Sequence, residues 1–290
     1  MNNKIYLMAA LIAFASVGAL LIQPTVASAQ SSMIDNILNS ALPSSNTNDN
    51  NQPSQENGSS SSSAVPLSTS LSCGQVIKQS VKLTANLDCK TDGIIVGADG
   101  ITIDLNGFTL SGPGDKSSKV GVMFADNDGV TVQGPGTIQN FQAGALFSGG
   151  EDNKISRVTF TENEIAVFET GSKNVVIEDN LLFGNSIGVA AHSSSGSKLT
   201  TNLFKSNDLA GVTLVNSAGN ELSMNTIQGS VNGIFLDGQS TKNSVDSNNV
   251  LQNRGVDLNN GNGLPTNIND NVFGDNNCNT SVPDGLCLGR

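Results

Sequence analysis

Beyond residue 120 of this 290-residue chain, similar residues return every 22 or 23 positions, and that period limits the fold more than any other feature. Gly121, Gly144, Ala166, Gly188, Gly211, Gly233 and Gly255 each open a strand-like unit such as Gly-Val-Met-Phe or Gly-Val-Thr-Leu. A second column holds Ile155, Ile177, Leu199, Leu222, Val245 and Ile268, and a third holds Phe160, Leu182, Phe204, Ile227, Val250 and Phe273. Apolar residues inside each unit are two apart, which is the period of a strand and not of a helix. Three apolar columns at one period predict three short strands per coil, stacked coil on coil. Asn180, Asn202, Asn225, Asn248 and Asn271 follow the second column, and Asn185, Asn207, Asn253 and Asn276 follow the third. Stacked asparagines bond to backbone and to one another, which holds tight turns in register. Leucine-rich repeats share the period but need a leucine scaffold that is absent here. The fold read from these columns is all-β, a right-handed parallel β-helix with coils of about 22 residues.

A solenoid has two open ends, and each needs a cover for its half-exposed core. Residues 69–119 read as an N-terminal cap and opening coil, 120–276 as the repeating coils and 277–290 as a C-terminal cap. Four cysteines bracket the repeats and pair naturally as Cys73 with Cys89 and Cys278 with Cys287, although four cysteines allow three pairings. Disulfides suit an exported chain, whereas the spacing of a tetrahedral zinc site is absent.

Export is also written at the start. Lys4 precedes an apolar run over residues 5–22, and Ala27-Ser28-Ala29 forms a small-residue exit, so residues 1–29 read as a signal peptide. The run is long enough for a retained anchor, but Pro24 and the exit favour cleavage, and membrane attachment is expected only if the segment is kept. Residues 30–68, rich in Ser and Asn, read as a disordered stalk. Within it Met33, Ile34, Ile37, Leu38, Ala41 and Leu42 fall at helical spacing, as in a short amphipathic helix. The expected location is secreted or at the extracytoplasmic cell surface. Cleavage removes one lysine and takes the net charge from −11 to −12, which excludes nucleic acid as a partner because phosphate recognition needs a basic face.

The repeat Asn-x-Ile/Leu-x-x-Asn-x-Phe-x-x-Asn, seen over residues 198–207, resembles the β-helix repeats of the pectate-lyase-like superfamily. The glycine-punctuated stretch 99–114 is most similar to its carbohydrate-binding and sugar-hydrolase repeat group, which includes the periplasmic β-helix protein of nitrous-oxide reductase maturation. The resemblance spans roughly residues 73–273. It implies the fold, and it leaves open lyases, hydrolases, epimerases, adhesins and non-catalytic members. Motifs of the hydrolases and epimerases are missing: His192, the only histidine, sits in Ala-His-Ser, and there is no Asp-Asp pair. A lyase, needing an arginine base and a calcium cluster, is weakened rather than excluded.

Arg157 lies 22 residues before Asp179, which stacks them on adjacent coils, with Glu178 beside and Glu162 on a neighbouring turn. Such a group can hold a uronate or position a base, or it can be an ion pair that fixes register. Asp126 and Asp128 resemble the start of a calcium loop without its later ligands; no cofactor is required, and the negative charge permits weak surface Ca²⁺ binding. If the residue after each column glycine points inward, Met123, Leu146, Phe168, Ala190, Thr213, Phe235 and Asp257 form an external strip for sugar rings, a partner or the chain's own tail. A slip of one residue would instead put that strip in the core. The expected function is binding of a polysaccharide or surface protein along the side of the helix, without catalysis. The alternative is a polysaccharide lyase using Arg157, Asp179, Glu178 and Glu162. Copper handling, known among the relatives, has little support from one histidine and bridged cysteines.

Overall fold

The computed structural model describes residues 71–288; the expected signal peptide, the 30–68 stalk with its amphipathic stretch, and residues 289–290 lie outside them. The chain winds as a parallel β-helix whose coils contribute one strand to each of three sheets, of ten, nine and nine strands. Every pairing is parallel and joins successive coils. The long sheet carries strands of five or six residues, including Val120–Ala125, Ala143–Ser148, Ile165–Thr170, Ile187–His192, Ala210–Val215 and Asn232–Leu236. The second and third sheets use strands of two or three residues, such as Val176–Glu178 and Leu181–Phe183. Winding begins at Gln75–Ile77, so the region before residue 120 already belongs to the three sheets.

The central residue of each short strand faces the axis. Ile155, Ile177, Leu199 and Leu222 from the second sheet meet Phe160, Leu182, Phe204 and Ile227 from the third, all without solvent exposure. Each such side chain contributes roughly 1.5–3 kcal/mol by leaving water. The glycine column has a steric cause. A β-carbon at Gly188 would stand 2.5 Å from the Phe204 ring and 2.5 Å from the Gly211 carbonyl oxygen, so the long strand passes too close to the third column for a side chain.

Three asparagine ladders run along the corners. At the turn between the second and third sheets, the Asn202 amide oxygen accepts from Asn180 backbone N at 3.0 Å and from its side-chain Nδ2 at 3.0 Å. Asn202, Asn225 and Asn248 repeat the pattern on the following coils. Asn163, Asn185 and Asn207 do the same at the turn into the long sheet. Asn220, Asn243 and Asn271 form a third ladder, at the turn out of it, that the sequence columns did not separate.

The final coil departs from the expected columns. An insertion around the 3₁₀ turn Thr266–Ile268 lengthens it, so Val245 pairs with Phe273 and Val250 with Cys278. Ile268 is therefore exposed and belongs to no column, and Asn248 bonds to Asn276, leaving Asn271 to the third ladder, beneath Asn243. Asp257 also moves: Ile234 pairs with Leu258, so Asp257 occupies the glycine position, and Asn259 follows Phe235 on the outer face. Its carboxylate accepts from the backbone N of Asn253, Asn279 and Thr280. Disulfides Cys73–Cys89 and Cys278–Cys287 close the two ends.

Candidate functional site

The strand alternation that fills the core fixes what each sheet offers outside. On the third sheet the inward residues are Phe160, Leu182, Phe204 and Ile227, so the residues on either side of them point out. One outward row runs Thr137, Thr159, Leu181, Leu203 and Thr226, and the other runs Gln139, Thr161, Phe183, Lys205 and Gln228. Phe183 is 38% exposed and Leu203 39%, and Met224, 60% exposed, stands on the adjoining corner. Together with Leu181 they make an apolar patch edged by threonine, glutamine and lysine. The sequence hint was the run Leu181-Leu182-Phe183: in a period of two, three consecutive apolar residues must leave at least one outside, and two when the central one faces in. It was not read.

Arg157 and Asp179 border this patch. Both occupy left-handed turn positions on consecutive coils of the same corner, with φ of 58° and 55°. The Arg157 amide donates to Glu178 O at 3.3 Å, as the stacking predicts. Among the described residues no carboxylate stands within ion-pair distance of the Arg157 guanidinium. The Asp179 carboxylate instead accepts a hydrogen bond from Thr201 Oγ1 at 2.6 Å. Glu178 is on the outer face of the second sheet, paired with Lys154 at 2.6 Å. Glu162 sits beyond the far end of strand Thr159–Thr161, at the next corner, so the whole width of the third sheet separates it from Arg157. The four groups therefore occupy two corners and a strand face rather than one cleft.

Asp126 and Asp128 flank a turn whose groups bond internally: Asp128 accepts from Glu151 N at 2.8 Å, and Asp128 N donates to Asp99 at 3.1 Å. Met123, Leu146 and Phe168 lie in register on consecutive coils of the long sheet, and Phe235 stands in the same row three coils further on. Leu146 is only 2% exposed and Phe168 fully buried, and Ala190 and Thr213 between Phe168 and Phe235 are also fully buried. They form an apolar cluster separate from the core, together with Val120, Ala143, Ile165, Ile187 and Ala210. Two hollows lie at the ends of the solenoid, around Gln75 and Lys78 and around Phe273 and Leu286.

Solved structures with the same winding include the Dettilon tailspike protein, at 16% identity and TM-score 0.50, aligned over 66% of this chain and 43% of that one. An exopolygalacturonase from Thermotoga maritima aligns over 69% of this chain and 70% of its own, at 10% identity and TM-score 0.43. The chain thus spans less than half the length of the tailspike, and these likenesses concern the fold alone. No curated protein sequence matches it.

Residues 85–285 match the family described as periplasmic copper-binding protein (NosD). Copper(I) favours sulfur ligands and copper(II) favours imidazole. Among the described residues all four cysteines are closed in disulfides, Met123 and Met224 lie on different faces, and no three His, Cys, Asp or Glu side chains converge. His192 is the only imidazole of the chain, so the described residues do not fit a resident copper centre. The match nonetheless takes in well over half the sequence and the whole run of coils, and the chain belongs to the NosD family of periplasmic β-helix proteins.

Proposed function

We propose that this protein is a non-catalytic binding module that grips a neutral glycan chain on the outer face of its third sheet. The observation that carries the reading is the exposed apolar patch of Leu181, Phe183 and Leu203 set among Thr159, Thr226, Gln228 and Lys205. A sugar ring has apolar C–H faces and a rim of hydroxyls. A flat surface alternating apolar and hydrogen-bonding side chains complements both, and the sheet holds it rigid before the ligand arrives. A non-catalytic role is supported by the dispersal of the acids and the arginine: acid–base chemistry requires them within hydrogen-bond reach of one reacting bond. Export through the expected signal peptide, if its cleavage is verified by N-terminal sequencing, brings this face to where glycans are met.

The test is affinity electrophoresis of the exported protein in gels containing neutral or acidic polysaccharides, with and without calcium, alongside ultraviolet detection of unsaturated products. The expected result is retardation by a neutral polymer without product, reduced at least tenfold in affinity by Phe183→Ala with Leu203→Ala. Unsaturated product abolished by Arg157→Ala would replace the proposal with a lyase. Silence in both assays would discard glycan as the ligand.

A further inference from the structure

The outer face of the third sheet is long in one direction and short in the other. Strand Leu181–Phe183 has three residues, so its two outward positions are ~6.6 Å apart and the face is about 10 Å wide. Along the solenoid axis one outward row continues through Thr137, Thr159, Leu181, Leu203 and Thr226, a residue per coil at ~4.8 Å, in unbroken register. Left-handed turns end the face on both sides. One edge carries Arg157, Asp179, Thr201 and Met224 on successive coils, with the Asp179 carboxylate accepting from Thr201 Oγ1 at 2.6 Å. The other edge is low, since Gly184, Ser206 and Gly229 occupy its turns. A polymer laid across the strands runs off the face at either corner, whereas one laid along the axis keeps a contact on every coil.

Given the binding role proposed for this face, we infer that its ligand is a linear β-1,4-linked glycan of sugars with equatorial hydroxyls, stretched along the solenoid axis with about one ring over each of five coils. The linkage follows from the straightness of the row. Links between equatorial positions carry a chain forward as a flat ribbon, each ring advancing by roughly the rise of one coil. An α-1,4-linked chain curls, and it lifts off a straight row within a few rings. The ring stereochemistry follows from the apolar centre, where Leu181 pairs with Leu203 and Phe183 stands 38% exposed beside them. Only a ring whose hydroxyls all lie in its plane turns an uninterrupted C–H surface to such side chains from either of its faces. The in-plane hydroxyls then point to the flanks, toward Asp179 and Thr201 on one side and Lys205 and Gln228 on the other. Because the ladder fixes the spacing of the row before the ligand arrives, each added ring gains a contact without reordering the protein.

Calorimetric titration of the exported protein with β-1,4-linked gluco-oligosaccharides of two to seven rings tests this. Affinity is expected to climb several-fold per ring up to about five rings and then level off. The α-1,4-linked series should bind at least tenfold more weakly at every length. Thr137→Arg and Thr226→Arg, at the two ends of the row, should each lower the plateau by one ring, and together by two, with the β-sheet circular dichroism unchanged. A plateau at two rings that neither arginine moves would place the chain across the strands and overturn the inference. So would α-linked oligosaccharides that bind as tightly as β-linked ones. In both cases retardation by a neutral polymer, lost in Phe183→Ala with Leu203→Ala, would leave the binding role itself standing. If no polysaccharide retards the protein, the binding role and the inference fall together.

Discussion

Glu169 stands in the core column that reads Phe124, Phe147, Glu169, Ala191, Leu214 and Leu236 from coil to coil. Its side chain is fully buried; Oε2 accepts from Ser197 Oγ at 2.7 Å, and Oε1 accepts no hydrogen bond. Burial pushes the carboxyl up from 4.5 to about 7, and the Ser197 bond only partly offsets it. The folded protein thus keeps a proton that the unfolded chain releases. The associated stability is fully present below about pH 4.5 and is lost as pH rises through about 7. The magnitude is about 3 kcal/mol at most, from the size of the shift. Glu169→Gln keeps the shape and removes the titration. Urea unfolding at pH 5 and pH 8 should show the wild type losing ~2 to 3 kcal/mol more than the variant across that interval. Equal losses in both proteins would refute the assignment. The position was readable in advance: in Ala-Val-Phe-Glu, if Val167 points inward then so does Glu169.

At the scale of the strand, the columns were legible because a solenoid applies the same steric demand at every coil. Gly144 and Gly188 are glycine because Phe160 and Phe204 press on the long strand there. This predicts coupling between columns. Gly188→Ala should cost about 1–3 kcal/mol through overpacking. Adding Phe204→Leu should cost less than the two single changes summed, since the smaller side chain makes room for the new methyl. Strict additivity in denaturant titrations would separate the glycine column from the third column. Where the demand changes, the pattern failed. The insertion around residue 266 displaced Ile268, Asn271 and Phe273 from their expected columns, because constant spacing cannot register an insertion within one coil. Alternation likewise could not give the burial of Leu146 and Phe168, since it says which way a side chain points and nothing about what lies over it. The exposed Phe183 and Leu203 escaped for a related reason: their apolar neighbours made one run in which inward and outward members look alike.

For the whole molecule, charge decides which polymers can approach. The chain carries −11, and many of its lysines are engaged: Lys82 with Asp104, Lys154 with Glu178, and Lys116 with Asp115 and Glu164. Arg157 and Lys205 near the apolar patch are too few to reverse that field, so a polyuronate meets net repulsion over the Debye length while a neutral glycan does not. Contacts through Phe183, Leu203 and uncharged hydrogen-bonding groups are short-ranged and barely screened. Affinity for a neutral polymer should therefore change by less than about twofold between 20 and 500 mM salt, whereas any uronate binding should strengthen as salt or calcium rises. Titrations followed by calorimetry at the two salt concentrations separate these cases. Tight uronate binding at 20 mM that weakens steeply with salt would mean that Arg157 and its neighbouring lysines govern recognition, and the apolar patch would then lose its claim to the ligand.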